Sequence, residues 1–169
     1  MLRESRTVRL ATEADIPRIL KILDAARIRM CESGNPTQWL PGYPTADMVA
    51  RDISCKAGFI IEDDGMPVGY FAFLPSPEPT YDVIYGGQWI DDSLPYYVIH
   101  RIGGLPKARG IFDSIMDFCF SRSSNIRIDT HRDNLVMQHL IQKWGFTYCG
   151  IIHIANGDER LAYQKLQFE

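Results

Sequence analysis

A strand, a turn rich in glycine and cations, and a helix follow one another between Tyr96 and Phe120, and this succession limits the possible folds most. The strand is YYVIHRI, the turn is GGLPKARG, and the helix runs from Gly110 to Phe120. A helix N-terminus offers unpaired N–H groups and the positive end of the helix dipole, which together bind anions. Lys107 and Arg109 add formal charge. The segment therefore predicts either a phosphate site or an ordinary turn with solvated cations.

Strand and helix patterns alternate along the rest of the chain. Asp64-Gly65 and Asn156-Gly157 are hairpin signals, and Thr12 with Asp15 resembles a capping box. The predicted strands are 6–10, 58–62, 68–74, 96–102, 126–130, 147–154 and 161–166, with 81–85 left open between strand and loop. The predicted helices are 12–33, 45–53, 110–120 and one capped by Asp133 or Asn134, whose inner face is Val136, Leu140, Ile141 and Trp144. This order predicts an α/β (α+β) domain, a mixed sheet with helices on both faces.

Composition narrows the function classes. The 169 residues have room for one core, and no repeat or linker divides them, so one domain is expected over 1–169. A net charge of −3 argues against nucleic acid as the main partner. No apolar run approaches a membrane span and no apolar leader is visible, so we expect a cytoplasmic protein without membrane contact. The cysteines are widely spaced and predict reduced core thiols: Cys31, Cys55, Cys119 and Cys149.

The sequence gives little support to a metal site, a serine hydrolase or a dinucleotide-binding protein. Asp129, His131 and Asp133 lie close together, but Asp133 is placed as a helix cap and no second histidine follows at i+4, so no metal is expected. The serines lack a G-x-S-x-G elbow, and the chain has no G-x-G-x-x-G fingerprint.

Four segments together resemble the GNAT superfamily of acyl-CoA-dependent N-acyltransferases. KARGIF (107–112) stands where that family has Q/R-x-x-G-x-G/A. IRIDTHRDN (126–134) and KWGF (143–146) match the family's later strand–helix unit, and GNPTQW (34–39) is similar to a bacterial subgroup. The resemblance covers nearly the whole chain. It implies a mostly antiparallel sheet of six to seven strands, splayed between the fourth and the fifth.

The resemblance also implies acetyl-CoA, or coenzyme A, as co-substrate. The strand end at Ile102 and Gly103 would bond the pantetheine arm, and Asn134 would reach the pantetheine or the thioester. The backbone N–H groups that would hold the pyrophosphate belong to Lys107, Ala108, Arg109, Gly110, Ile111 and Phe112.

Three positions depart from the family pattern. Lys107 replaces a glutamine or arginine, Phe112 replaces a glycine or alanine, and Ile141 replaces the tyrosine that often reprotonates the leaving thiolate. His131, Tyr148 and His100 are the candidates for a substitute acid or base, although for each one alone the sequence favours a hydrogen-bonded structural role.

The expected function is transfer of an acetyl group from acetyl-CoA to a primary amine by direct attack in a ternary complex. The acceptor, a small molecule or a peptide, is not identified by the sequence, and a homodimer is possible. Two alternatives stay open: an acyl-CoA-binding module with little activity, and a phosphate-binding α/β protein without acyl chemistry. The aromatic residues that either line an acceptor pocket or belong to a core or dimer contact are Trp39, Tyr43, Trp89, Tyr96 and Tyr97.

Overall fold

The computed structural model describes residues 5–167, which form one seven-stranded sheet with four α-helices; the expected domain limits at 1 and 169 lie outside this range. The strands are β1 (Arg6–Leu10), β2 (Gly58–Asp63), β3 (Met66–Pro75), β4 (Tyr97–Gly104), β5 (Asn125–Thr130), β6 (Thr147–His153) and β7 (Glu159–Leu166). The helices are α1 (Ile16–Glu32), α2 (Ala46–Ser54), α3 (Ile111–Phe120) and α4 (Leu135–Lys143), with 3₁₀ turns at Glu13–Asp15 and Pro79–Tyr81. The order of elements is the predicted one.

The sheet is antiparallel except at its centre. Its strand order is β1-β2-β3-β4-β5-β7-β6, and β4 runs parallel to β5. Only Tyr97 and Val98 of β4 pair with β5, opposite Ile126 and Arg127, and beyond them the two strands separate. The predicted splay between the fourth and fifth strands is therefore confirmed.

Helices cover both faces of the sheet, as predicted. Phe112, Ile115 and Met116 of α3 and Ile141 of α4 join the core on one face. α1 and α2 cover the opposite face beside β2 and β3. On that same face, the segment 79–96 packs Tyr81 and Trp89 over β4, β6 and β7. The residues around the splay thus lie between the core under α3 and α4 on one face and the core under the segment 79–96 on the other.

Local signals explain why most predicted boundaries agree with the structure. The backbone N–H of Thr12 donates to Asp15 Oδ2 at 2.7 Å, which caps the 3₁₀ turn that leads into α1, and Thr45 Oγ1 accepts from Met48 N–H at 3.2 Å, which caps α2. Asp64 and Gly65 both have positive φ, 51° and 78°, which is the geometry of a type I′ hairpin between β2 and β3.

Some burial predictions are wrong. Val136 is 61% exposed, whereas Ile141 is buried and Met137 packs against the same core. One residue turns a helix by about 100°, so Val136 lies off the stripe that Met137 and Ile141 define. Cys31 and Cys55 are exposed, and only Cys119 and Cys149 are buried.

The undecided segment 81–85 forms a loop, in which Tyr85 makes an isolated bridge with Ile151. Among residues 5–167, no helix is both long enough and apolar enough to cross a membrane.

Candidate active site

A cavity of about 620 Å³ opens where β4 and β5 separate. β4 contributes Val98 to Ile102 to its wall, and β5 contributes Ile128 to Thr130. The loops that close it carry Trp39 and Glu78, among others, and the start of β7 contributes Arg160. Since the two strands diverge instead of pairing, their backbone and side chains meet a space large enough for a small molecule.

His100 lines this cavity and is paired with a carboxylate. Its Nε2 lies 3.2 Å from Glu78 Oε1, which also accepts from Thr80 Oγ1 at 3.1 Å. The hydrogen bond from His100 is the largest cause that lowers the pKa of Glu78. In the tautomer that donates from Nε2 to Glu78, Nδ1 is left as an acceptor. No residue of the described chain hydrogen-bonds to that Nδ1.

Asp129 also lines the cavity, and its orientation is fixed by a buried tyrosine. Tyr81 Oη donates to Asp129 Oδ2 at 2.6 Å, and Tyr81 is only 1% exposed. Burial first, and the charge of Asp129 second, raise the pKa of Tyr81 well above its ordinary value, so the hydroxyl keeps its proton. Asp129 therefore presents a carboxylate in a fixed position.

β4 bulges at Arg101, beside the splay. Arg101 has φ 55°, and the register with β3 shifts between Tyr70 and Ala72. A non-glycine residue in this region costs about 1–3 kcal/mol. Arg101 is held there by two hydrogen bonds to Asp52, a buried carboxylate that also accepts from Tyr70 Oη at 2.7 Å.

Past Val98, the edge of β4 that faces β5 is unpaired, and Ile102 and Gly103 lie on this part of the strand. An unpaired strand edge is a row of backbone donors and acceptors, suited to an extended ligand.

The loop before α3 presents free backbone donors. Gly110 is the N-cap with φ 69°, a left-handed conformation that glycine adopts at little cost. The N–H groups of Ile111, Phe112 and Asp113 have no acceptor within the described part of the chain. Phe112 is 5% exposed and points into the core, so its bulk does not obstruct the helix terminus.

The other residues of the predicted pyrophosphate site, Lys107, Ala108 and Arg109, differ in exposure and in hydrogen bonding. Lys107 and Arg109 are exposed. The N–H of Ala108 is already used, since it donates to the Leu105 carbonyl at 3.0 Å. Arg6 donates to the Arg109 carbonyl at 2.6 Å and thereby fixes the loop to β1.

The two glycines that end β4 serve helix packing. A Cβ at Gly103 would lie 2.9 Å from Leu23 Cδ2, and one at Gly104 would lie 2.9 Å from Ile111 Cγ1. α1 and α3 therefore approach β4 closely because these positions lack side chains.

Asn134 begins α4 at the rim of the cavity. Its Oδ1 accepts from Met137 N–H at 3.0 Å, and its Nδ2 donates to Gln38 Oε1 at 2.9 Å. The same Gln38 oxygen accepts from Asn35 Nδ2 at 2.8 Å, which ties the GNPTQW segment to the end of β5. Nearby, Thr130 is one of the residues that line the cavity, and its buried Oγ1 has no hydrogen-bond partner in the described chain.

The other two predicted acid–base candidates lie away from the cavity lining. His131 Nδ1 accepts from Asp133 N–H at 3.0 Å, and its Nε2 lies 3.2 Å from Thr37 Oγ1. Burial, and then the charge of Arg160, lower the pKa of His131. Tyr148 is 48% exposed on β6, with its ring edge against Tyr163.

The five aromatic residues singled out in the sequence lie in three different places. Trp39 and Tyr43 line the cavity, in edge contact at 6.3 Å. Trp89 and Tyr96 instead enclose the buried Arg127 guanidinium, at 4.0 and 3.9 Å from their ring centres. Tyr97, the fifth of the set, stacks on Phe73 in the core at 4.5 Å.

Sequence reasoning missed Glu78 and Arg160 as site residues, and it considered Asp129 only as a metal ligand. Glu78 lies between two prolines in a loop, and Arg160 begins a hairpin strand, so no local pattern marks either of them. Within the described residues, no group of three or more His, Cys, Asp or Glu side chains is arranged to hold a metal ion.

Solved structures of similar fold include several acetyltransferases. A GNAT-family acetyltransferase from Streptococcus agalactiae 2603 is 31% identical to this chain, covers 98% of both chains and has a TM-score of 0.88. Another, from Listeria monocytogenes 4b F2365, is 22% identical over 95% of this chain and 94% of that one, with a TM-score of 0.71. The protein yncA of Salmonella typhimurium, solved with its cofactor acetyl-CoA, is 14% identical over 98% of this chain and 96% of its own, with a TM-score of 0.59.

No family model and no curated protein matches the sequence. The likeness to the Streptococcus agalactiae protein nevertheless extends over almost the full length of both chains, in sequence as well as in fold. This chain therefore belongs to the GNAT family of acetyltransferases.

Proposed function

We propose that the chain transfers an acetyl group from acetyl-CoA to a primary amine that binds beside it in the splay cavity. The observation that carries the proposal is the meeting, at one cavity, of an unpaired strand edge and the His100–Glu78 pair. The unpaired strand edge can bond the extended arm that carries the thioester. The His100–Glu78 pair can accept the proton that the amine loses. Direct attack within a ternary complex requires both ligands in one space, which a cavity of about 620 Å³ can offer.

The residues present fit acetyl-CoA. The N–H groups of Ile111, Phe112 and Asp113 would hold the pyrophosphate at the start of α3, with Lys107 nearby in sequence. The β4 edge at Ile102 and Gly103 would bond the pantetheine arm. Thr130 Oγ1, buried without a partner at the splay, is the kind of polar atom that a bound ligand would satisfy. Acetyl-CoA supplies an acetyl group activated as a thioester.

His100 is the proposed proton acceptor. The amine nitrogen bonds to the carbonyl carbon, the carbon–sulfur bond breaks, and the surplus proton of the nitrogen passes to His100 Nδ1. Glu78, which accepts from Nε2, stabilises the imidazolium that results. Ile141 is aliphatic and offers no acid, so the coenzyme A thiolate takes its proton from water. The hydroxide that remains is neutralised by the proton that His100 then releases. Unpaired backbone N–H groups of β4 would stabilise negative charge on the carbonyl oxygen.

Release of free thiol tests the proposal. Purified protein is mixed with acetyl-CoA and a panel of primary amines, and thiol is followed against a reaction without amine. Amine-dependent release, with the acetylated amine found by mass spectrometry, supports the proposal. Binding of acetyl-CoA without release for any amine would indicate a binding module, and stabilisation by ATP or NAD alone would indicate a phosphate-binding protein.

A further inference from the structure

Arg160 is a buried cation at the cavity. It is 5% exposed, at the start of β7, and it lines the cavity wall. Its guanidinium donates to two backbone carbonyls, those of Glu159 at 2.9 Å and Gln38 at 3.3 Å. Across residues 5–167 no carboxylate forms an ion pair with it. A buried charge without a counter-charge is costly, and arginine has five N–H donors, more than these two carbonyls engage.

The neighbouring carboxylates are otherwise engaged. Asp158, which also lines the cavity, accepts from Asn156 Nδ2 at 3.1 Å. Asp129 is held by Tyr81. The cavity thus contains one positive group whose anionic partner the described chain does not supply.

Arg160, Asp129 and His100 share one face of the sheet. Asp129 pairs with Ala162 across β5 and β7, and Arg160 is two residues from Ala162, so Asp129 and Arg160 are diagonal neighbours. Such neighbours have side chains that start about 7–8 Å apart. His100 follows Val98 by two residues on β4, and Val98 and Ala162 belong to one core cluster on this face. A carboxylate, a cation and a proton acceptor therefore surround one small space.

We propose that the acceptor is a small amino-carboxylic acid whose carboxylate binds Arg160. The guanidinium matches a carboxylate in two-pronged geometry and is the group best suited to bind one in a partly dry site. The amine of the same molecule binds in its neutral form, after its ammonium proton has passed to solvent, and lies toward Asp129 within reach of His100. The inference rests on the proposed acetyl transfer and adds the class of acceptor.

Matched acceptors test this inference in the parent protein. Each of several amino acids is compared with its methyl ester and with the amine that lacks the carboxyl group, with thiol release as the readout. The expected result is a kcat/KM about 10- to 100-fold higher for the acid, the range for one charge-assisted contact. Equal or better turnover of the amines without carboxylate would overturn the inference and leave acetyl transfer standing. Absence of thiol release with every amine would instead refute the proposed function.

Substitution of the arginine gives an independent test. Arg160→Met should raise KM for the acid and abolish its advantage over the decarboxylated amine, and Arg160→Lys should restore part of it. Arg18→Met, an exposed arginine on α1, is the matched control and should keep the full preference. If Arg160 only held the Gln38 carbonyl, Arg160→Met would slow both acceptors by the same factor, and the inference would fail. Should Arg160→Met not fold, the comparison of acceptors in the parent protein decides.

Discussion

Single side chains at the splay carry the chemistry, and the sequence identified them unequally. His100 was predictable because it interrupts an apolar strand, and the structure places it at the cavity. Glu78, its partner, is 22 positions away in a proline-rich loop and is brought there only by the tertiary fold. Arg160, too, is brought to the cavity only by the tertiary fold. A residue whose role depends on a contact across the sheet leaves no periodic signal in the chain.

Replacing His100 tests its proposed role. His100→Gln keeps a polar side chain of similar size but removes the proton acceptor, so turnover should fall about 10²- to 10⁴-fold. The affinity for acetyl-CoA should change little, because the ring is not among its proposed contacts. His153→Gln, an exposed histidine on β6, is the control in the thiol-release assay. Unchanged turnover in His100→Gln would return His131 and Tyr148 to consideration, to be tested as His131→Ala and Tyr148→Phe.

At the scale of elements, caps and turns made most boundaries predictable. The capping box at Thr12 and Asp15, the cap at Thr45 and the turn at Asp64-Gly65 are local, so their sequence signal survives in the fold. The inner face of α4 was predicted incorrectly at Val136, which is exposed. That face depends on how the helix lies on the sheet. The bulge at Arg101 was not predictable either, since it depends on Asp52 in another element.

The cap of α1 predicts a pH dependence of stability. The hydrogen bond from Arg9 lowers the pKa of Asp15 from 3.8 to about 2. A carboxyl whose folded pKa is depressed stabilises the fold above its unfolded pKa, and this contribution disappears as the pH falls through the folded value. Asp15→Asn should therefore lower the free energy of unfolding at pH 7 by about 1 kcal/mol.

Urea denaturation at a series of pH values measures that difference. It should shrink as the pH falls from about 4 toward 2, the interval between the two pKa values. Asp24→Asn, at an exposed carboxylate on the same helix, is the control and should show a smaller difference. A difference between Asp15→Asn and the parent that stays constant with pH would contradict this account of the cap.

The loop before α3 gives the second prediction at this scale. Gly110→Asp should abolish stabilisation by coenzyme A in thermal melts, because it puts a negative charge beside the proposed pyrophosphate site. Gly110→Asn is the matched control, since asparagine has the same shape without charge and tolerates positive φ. It should retain binding, though at reduced stability. Equal coenzyme A affinity in both variants would move the pyrophosphate away from this loop.

The whole molecule is organised around the failure of β4 and β5 to pair beyond Val98. The seven strands form one sheet, but β4 and β5 are joined in it only through Tyr97 and Val98, opposite Ile126 and Arg127. The sequence predicted this opening only through its resemblance to a family, since no composition or period encodes a gap between strands. The fold was thus largely predictable, and the site that it creates was predictable only in part.

The proposed function depends on binding of acetyl-CoA along the open edge of β4 and at the N-terminus of α3. Calorimetric titration of acetyl-CoA into the purified protein, with ATP and NAD titrated in parallel, measures this binding. We expect saturable binding of one acetyl-CoA per chain and no comparable heat from ATP or NAD. No binding of acetyl-CoA, or equal binding of all three ligands, would contradict it.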